Sequence, residues 1–97
     1  MAPQADPTQR RTDLLISLFL DAISAMRAAS ANTLAAYQRD LADTSALLAA
    51  EAISLADCTA DDLRRVIALW HQRGLSARSV ARRLSALRQF MSWAVED

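Results

Sequence analysis

Residues 74–93 read GLSARSVARRLSALRQFMSW. The stretch opens on the only glycine of the chain, Gly74, places Ser76 where a helix cap belongs, and then repeats apolar residues at helical spacing. Val80, Leu84, Leu87, Met91 and Ala94 fall on one face. With each residue turned by about 100°, Arg78, Arg82, Ser85, Gln89 and Ser92 fall on the opposite face, and Arg83 and Arg88 flank the apolar stripe. The spacing predicts an amphipathic helix from Ser76 to about Val95 that carries four arginines (78, 82, 83, 88) and no acid.

Working back from this helix, the same signals recur. Thr59 opens a preceding helix with Asp61 and Asp62 in its first turn, where acids favour the helix dipole. Its expected core stripe is Leu63, Val66, Ile67 and Trp70, and Gly74 is placed as its C-cap. Ser30 caps a helix from Ala31 to about Ala50, with Leu34, Tyr37, Leu41, Ser45 and Leu48 inward and Arg39, Asp43 and Ala46 outward. The first helix is expected from about Asp13 to Arg27, with Thr12 or Asp13 as N-cap. Leu15, Leu18, Phe19, Ala22, Ile23 and Met26 form its main stripe, and Leu14, Ile16 and Leu20 lie beyond it. A helix apolar around so much of its circumference either sits deep in a bundle or keeps a face for a second partner.

The composition agrees with four helices. The chain has 97 residues, 53% of them hydrophobic, one glycine, and two prolines that both precede residue 8. An all-β fold needs turn residues far more often. The expected fold class is therefore all-α. The arrangement expected for the four helices is an orthogonal bundle of two antiparallel helical hairpins, first with second and third with fourth, packed across each other. Residues 1–12 are read as a flexible N-terminal arm and 13–95 as the helical domain. The arm carries Arg10 and Arg11, and a solvated tail is the expected state of that pair.

Net charge is zero, yet it is distributed unevenly. Six acids (40, 43, 51, 57, 61, 62) and no arginine lie between Asp40 and Leu63; seven arginines (64, 65, 73, 78, 82, 83, 88) and no acid lie between Arg64 and Val95. A basic helix on a neutral body is an electrostatic footprint for a polyanion, and nucleic acid is the first candidate. Much other chemistry is unsupported. One cysteine and one histidine make neither a disulfide nor a metal site, and a single glycine makes no phosphate loop. No cofactor or small-molecule ligand is expected. His71 at a helix end suits capping or solvent exposure, Tyr37 suits packing, and Cys58 suits burial as a small hydrophobe. Asp61 and Asp62 point about 100° apart, which is poor geometry for a carboxylate pair. The N-terminus lacks an apolar signal core, and no run approaches the ~18 apolar residues of a membrane span. A cytoplasmic location is the expectation.

The segments FLDAISAMRAASANTLAAYQRDL (19–41) and SLADCTADDLRRVIALWHQRGLSARSVARRLSALRQFMSW (54–93) together resemble one family: the N-terminal, SAM-like core-binding domain of Xer-type tyrosine recombinases. The resemblance runs from about Leu14 to Trp93. Its most specific parts are Asn32-Thr33-Leu34 with Tyr37 and Asp40-Leu41, and the run from Gly74 to Phe90; SALRQF (85–90) leans to the XerD-type branch. The resemblance implies a domain that grips one side of a duplex half-site in a clamp. A separate C-terminal catalytic domain would close the other side and cleave and rejoin DNA through a phosphotyrosyl link. With no lysine, and a single tyrosine suited to packing, these residues are expected to be non-enzymatic, the catalytic half lying beyond Asp97.

The family places its second and fourth helices in the major groove. That implies DNA contacts from Asn32, Thr33 and Arg39 on the second, and from Ser76, Arg78, Ser79, Arg82 and Arg83 on the fourth, with Arg78 and Arg82 foremost. Asn32 suits an adenine edge or a phosphate. Arg88, near the core edge, is expected to pair with an acid, and Arg64 and Arg65 are expected to pair locally. The resemblance also implies contact with other recombinase protomers in a tetrameric synapse, for which Leu14, Ile16 and Leu20 supply an apolar surface. The whole protein would then resolve chromosome dimers. A phage or transposon integrase is the near alternative, and a helical adaptor whose basic helix meets an acidic protein is the distant one.

Overall fold

The computed structural model describes residues 7–27 and 30–96. It is an all-α bundle of four helices: α1, Pro7–Arg27; α2, Ala31–Ala49; α3, Ala60–Gln72; α4, Ala77–Glu96. A single 3-10 turn, Leu55–Asp57, bridges α2 and α3. The chain packs around α2, which contacts α1, α3, α4 and the 3-10 turn.

Local chemistry sets three of the four N-termini. The Ser30 hydroxyl accepts from the Thr33 backbone N–H (3.1 Å), and the Ser76 hydroxyl accepts from the Ser79 backbone N–H (3.1 Å). At α3 the cap is reciprocal. The Asp62 N–H donates to the Thr59 hydroxyl (3.2 Å), and the Thr59 N–H donates to the Asp62 carboxylate (2.9 Å). That backbone N–H, followed by the Arg65 guanidinium, holds the Asp62 carboxyl below the usual carboxylate range. Because the folded pKa is depressed, the stability Asp62 contributes is present above the ordinary aspartate pKa of about 4 and is lost as pH falls through the folded value. Asp62→Asn is therefore expected to flatten the acid limb of the stability profile, measured as the urea midpoint at successive pH values between neutrality and about pH 2.

The C-termini follow one rule with two different residues. After α3, the Leu75 N–H donates to the Trp70 carbonyl (3.1 Å), and Gly74 takes the left-handed conformation this closure requires, at φ 79°. After α2, the Ile53 N–H donates to the Leu48 carbonyl (2.9 Å) in the same pattern. The left-handed position there is Ala52, at φ 61°. An alanine at positive φ costs backbone energy that a glycine would not, and it leaves the helix end without its usual marker.

The first helix departs from expectation in two ways. It begins at Pro7, inside the segment read as a flexible arm, so Thr12 and Asp13 are helical residues and neither is its cap. Proline in the first turn sacrifices no helical hydrogen bond and supplies a preset φ. The start is held by one bond within the helix and by tertiary contact: the Gln9 amide donates to Asp13 (2.9 Å) on α1 and to Ser45 on α2 (3.2 Å), and Thr12 is buried. Residues 1–6 of the arm lie outside the described residues. The helix is also rotated relative to the expected stripe. Ile16, Phe19 and Ile23 enter the core, while Leu18 and Met26, expected inward, stand 47% and 82% exposed.

The core joins these residues to Leu41 and Leu48 of α2, Leu55, Cys58, Val66 and Trp70, and Val80, Ala86, Leu87 and Phe90 of α4. Phe19, Phe90 and Trp93 form an aromatic cluster that ties α1 to the far end of α4, with Phe19 and Phe90 edge to face at 5.6 Å. Burial, followed by the Asp62 carboxylate, pushes the Cys58 thiol up to about 11, so it stays protonated at neutral pH and is a poor nucleophile.

Candidate nucleic-acid interface

The surface between α2 and α4 is built around one buried carboxylate. Asp40 lies on the α4-facing side of α2 and is 2% exposed. The Arg82 Nε donates to its Oδ2 (2.8 Å) and the Arg82 Nη2 donates to its Oδ1 (3.0 Å). This two-point bond raises the Arg82 guanidinium pKa further above its ordinary value. Arg83 is also turned inward. It is 17% exposed, its Nη1 bonds Asp43, its Nε lies 3.5 Å from Asp40, and its guanidinium carbon sits 5.5 Å from the Trp70 ring centroid. Arg73 approaches Asp43 from the end of α3 at 3.9 Å. Further along the seam the Gln89 amide donates to the Tyr37 hydroxyl (3.2 Å). As α2 rises from 37 to 43, its partners on α4 fall from 89 to 82 and 83, so the two helices run in opposite senses.

These bonds revise the charge picture. The acids of the middle segment fold back onto the arginines that follow them. Arg64 pairs with Asp61; Arg65 with Asp62 and Glu51; Arg73 and Arg83 with Asp43; Arg82 with Asp40. The separated dipole seen along the sequence is therefore largely cancelled in space. Among the described residues, Arg78 and Arg88 are the arginines of the 64–88 run without an ion pair, and Arg39 on α2 has none either. The local pairing expected of Arg64 and Arg65 is present. The acid partner expected for Arg88 is not, and Arg88 instead lines an open groove of about 360 Å³ with Phe19, Met26 and Trp93.

The expected contact residues occupy distinct settings. Asn32 and Arg39 are exposed seven residues apart, and so share one stripe of α2. Thr33 is exposed, but its hydroxyl is engaged with Ser30 (2.9 Å). Ser76 donates to Ser79 (3.1 Å) while capping α4. Arg78 is exposed one turn before Arg82 on the same side of α4, and Arg82 is 42% exposed despite its bond to Asp40. Asp40 is the functional candidate that reading the residues one at a time passes over. It counts as one acid among six until its partner 42 residues away is known.

No group of three His, Cys, Asp or Glu among the described residues is placed to hold a metal, and none of the described helices is long and apolar enough to cross a membrane. The surface is that of a helical module with cations on one seam, and comparison with known proteins defines its class. The family described as "Phage integrase, N-terminal SAM-like domain" matches residues 16–97, and the chain belongs to it. Within that family it is similar to the tyrosine recombinase XerD of Rhizobium meliloti (strain 1021), 48% identical over 75 residues that cover 77% of this chain and 24% of that protein. XerD of Brucella abortus (strain 2308) is 42% identical over 87 residues, 90% of this chain and 28% of that protein. The tyrosine recombinase XerC of Chromobacterium violaceum is 47% identical over 64 residues, 66% of this chain and 21% of that protein. The chain thus spans about a quarter of the length of the relatives it matches. No solved structure matches it.

Proposed function

We propose that this domain binds duplex DNA as the N-terminal half of the clamp of a site-specific tyrosine recombinase. The observation that carries the reading is the set of arginines beside the α2–α4 seam. Arg78 and the outer part of Arg82 stand exposed on α4 and Arg39 stands exposed on α2, in a family whose relatives bear the name tyrosine recombinase. An α-helix fits the major groove, and arginines flanking it neutralise phosphates. Asn32 and Thr33 at the start of α2, and Ser76 and Ser79 at the start of α4, lie where helix N-termini attract phosphate. Arg83 is withdrawn from first rank because Asp43 and Trp70 hold it inward.

Chromosome dimer resolution in the bacterial cytoplasm, with other recombinase protomers as partners, is the corresponding role of the whole protein. The apolar surface available to such a protomer differs from the one first expected. Ile16 is buried and Leu20 half-buried, whereas Leu14, Leu18 and Met26 are exposed on α1.

Arg78→Ala gives the clean test, because this side chain has no protein partner to orphan. Binding of the 97-residue chain to a half-site duplex recognised by a XerD relative is measured across a salt series, with a scrambled duplex as control. The wild type is expected to lose affinity with a log–log slope of several units. Arg78→Ala is expected to lower the slope by about one and to weaken both duplexes alike, with helicity unchanged. Absence of duplex binding at low salt would overturn the reading in favour of an acidic protein partner.

A further inference from the structure

A buried aspartate on a central helix is a poor stabilising device. An ion pair taken out of water recovers its desolvation cost only with good geometry, and an apolar pair of similar volume commonly does as well. Asp40 is nevertheless 2% exposed and accepts from two different nitrogens of Arg82. The geometry of that bond shows what it leaves over. A guanidinium carries five N–H donors in one plane. Asp40 takes the Nε–H and one Nη2–H, along the inner edge. Both Nη1–H groups and the second Nη2–H remain. The Nη1–Nη2 edge is therefore a complete second fork, on a side chain that is still 42% exposed.

Two consequences oppose each other. The carboxylate cancels most of the long-range attraction of Arg82 for a phosphate backbone. It also fixes the plane and direction of the guanidinium, so less side-chain freedom is lost when the outer fork meets an acceptor. An arginine arranged in this way contributes little to non-specific attraction and much to directional recognition. The acceptor pair that matches a fixed fork in the major groove is the O6 and N7 of guanine.

We propose that Asp40 is a positioning residue for sequence readout. It clamps the inner edge of Arg82 so that the outer edge is presented as a rigid fork to a guanine. Arg82 is then the specificity contact of α4, and Arg78 and Arg39 are phosphate contacts. The proposal rests on the duplex-binding reading above and adds a division of labour among its arginines.

The test compares Asp40→Asn, Arg82→Lys and Arg78→Ala with the wild type on the half-site and scrambled duplexes, with circular dichroism and thermal midpoints recorded in parallel. Asp40→Asn releases the charge of Arg82 and loosens its geometry. It is expected to raise the scrambled-duplex affinity severalfold, to steepen the salt slope by about one, and to lower the half-site preference by about tenfold. Arg82→Lys keeps the charge and an ion pair to Asp40 but loses the fork. It is expected to lower the preference by a similar factor with the salt slope unchanged. Arg78→Ala is expected to leave the preference intact. A structural role alone would lower the thermal midpoint of Asp40→Asn and weaken both duplexes together. That result, or an unchanged preference in Arg82→Lys, overturns the positioning role while duplex binding stands. Equal wild-type binding to both duplexes overturns it in the same way. Wild-type binding to neither removes the duplex-binding reading and this proposal with it.

Discussion

Phe90→Ala is expected to lower the unfolding free energy by about 3–5 kcal/mol. Phe90 is fully buried and meets Phe19 edge to face at 5.6 Å and Trp93 at 6.1 Å, while Phe19 meets Trp93 at 5.7 Å. Three rings in mutual contact gain more than their buried area alone supplies, roughly 0.5–1.5 kcal/mol per well-arranged pair. Truncation opens a cavity in the place where α1 is fastened to the second half of α4. Domains of this size have about 5–15 kcal/mol of stability in total, so roughly a fifth or more is at stake. A fall in the urea midpoint with an unchanged m-value would show loss of packing without loss of the folded state's compactness. Each kcal/mol corresponds to about 4–8 °C in a chain of this length, so the thermal midpoint should fall by well over ten degrees. Phe90→Leu keeps most of the buried volume and should cost much less.

That cluster also marks where sequence reading ends. The caps at Ser30, Thr59 and Ser76 and the stop at Gly74 are legible, because each depends on residues within three or four positions of one another. The start of α1 is not, because Gln9 is held by Ser45, and Thr12 is buried by the rest of the bundle. The rotation of α1 is undetermined for a related reason. Apolar residues surround most of the helix, so periodicity alone permits several inward faces, and contact with Phe90 and Trp93 selects the one containing Ile16, Phe19 and Ile23. The end of α2 falls at Ala49, beside the expected Ala50, although the left-handed residue that follows is an alanine where glycine is usual. On the interface, exposure of Arg78 follows from local spacing. The capture of Arg82 and Arg83 does not, since their partners lie 42 and 40 residues back. Segmental charge is a statement about the chain, and only the fold decides which charges reach a ligand.

Arg82→Ala is expected to cost roughly 2–4 kcal/mol, although Arg82 is 42% exposed and lies on a proposed binding surface. The cost arises at its partner. Removing the arginine leaves the Asp40 carboxylate inside the seam with only Arg83 nearby, at 3.5 Å and without hydrogen-bond geometry. The converse change, Asp40→Ala, should cost less, because the freed guanidinium already reaches water and can complete its hydration there. The joint replacement Asp40→Leu with Arg82→Met removes both charges and refills the seam, and it should recover stability to within about 1 kcal/mol of the wild type. Urea titrations of the two alanine variants read this asymmetry, and adding the double alanine variant closes a cycle that gives the coupling energy of the pair. Duplex binding by the joint Asp40→Leu, Arg82→Met variant then separates the two roles of the pair. A protein that regains its stability but not its preference for the half-site would show that the ion pair is retained for what Arg82 presents to DNA, since apolar residues could hold the two helices together equally well.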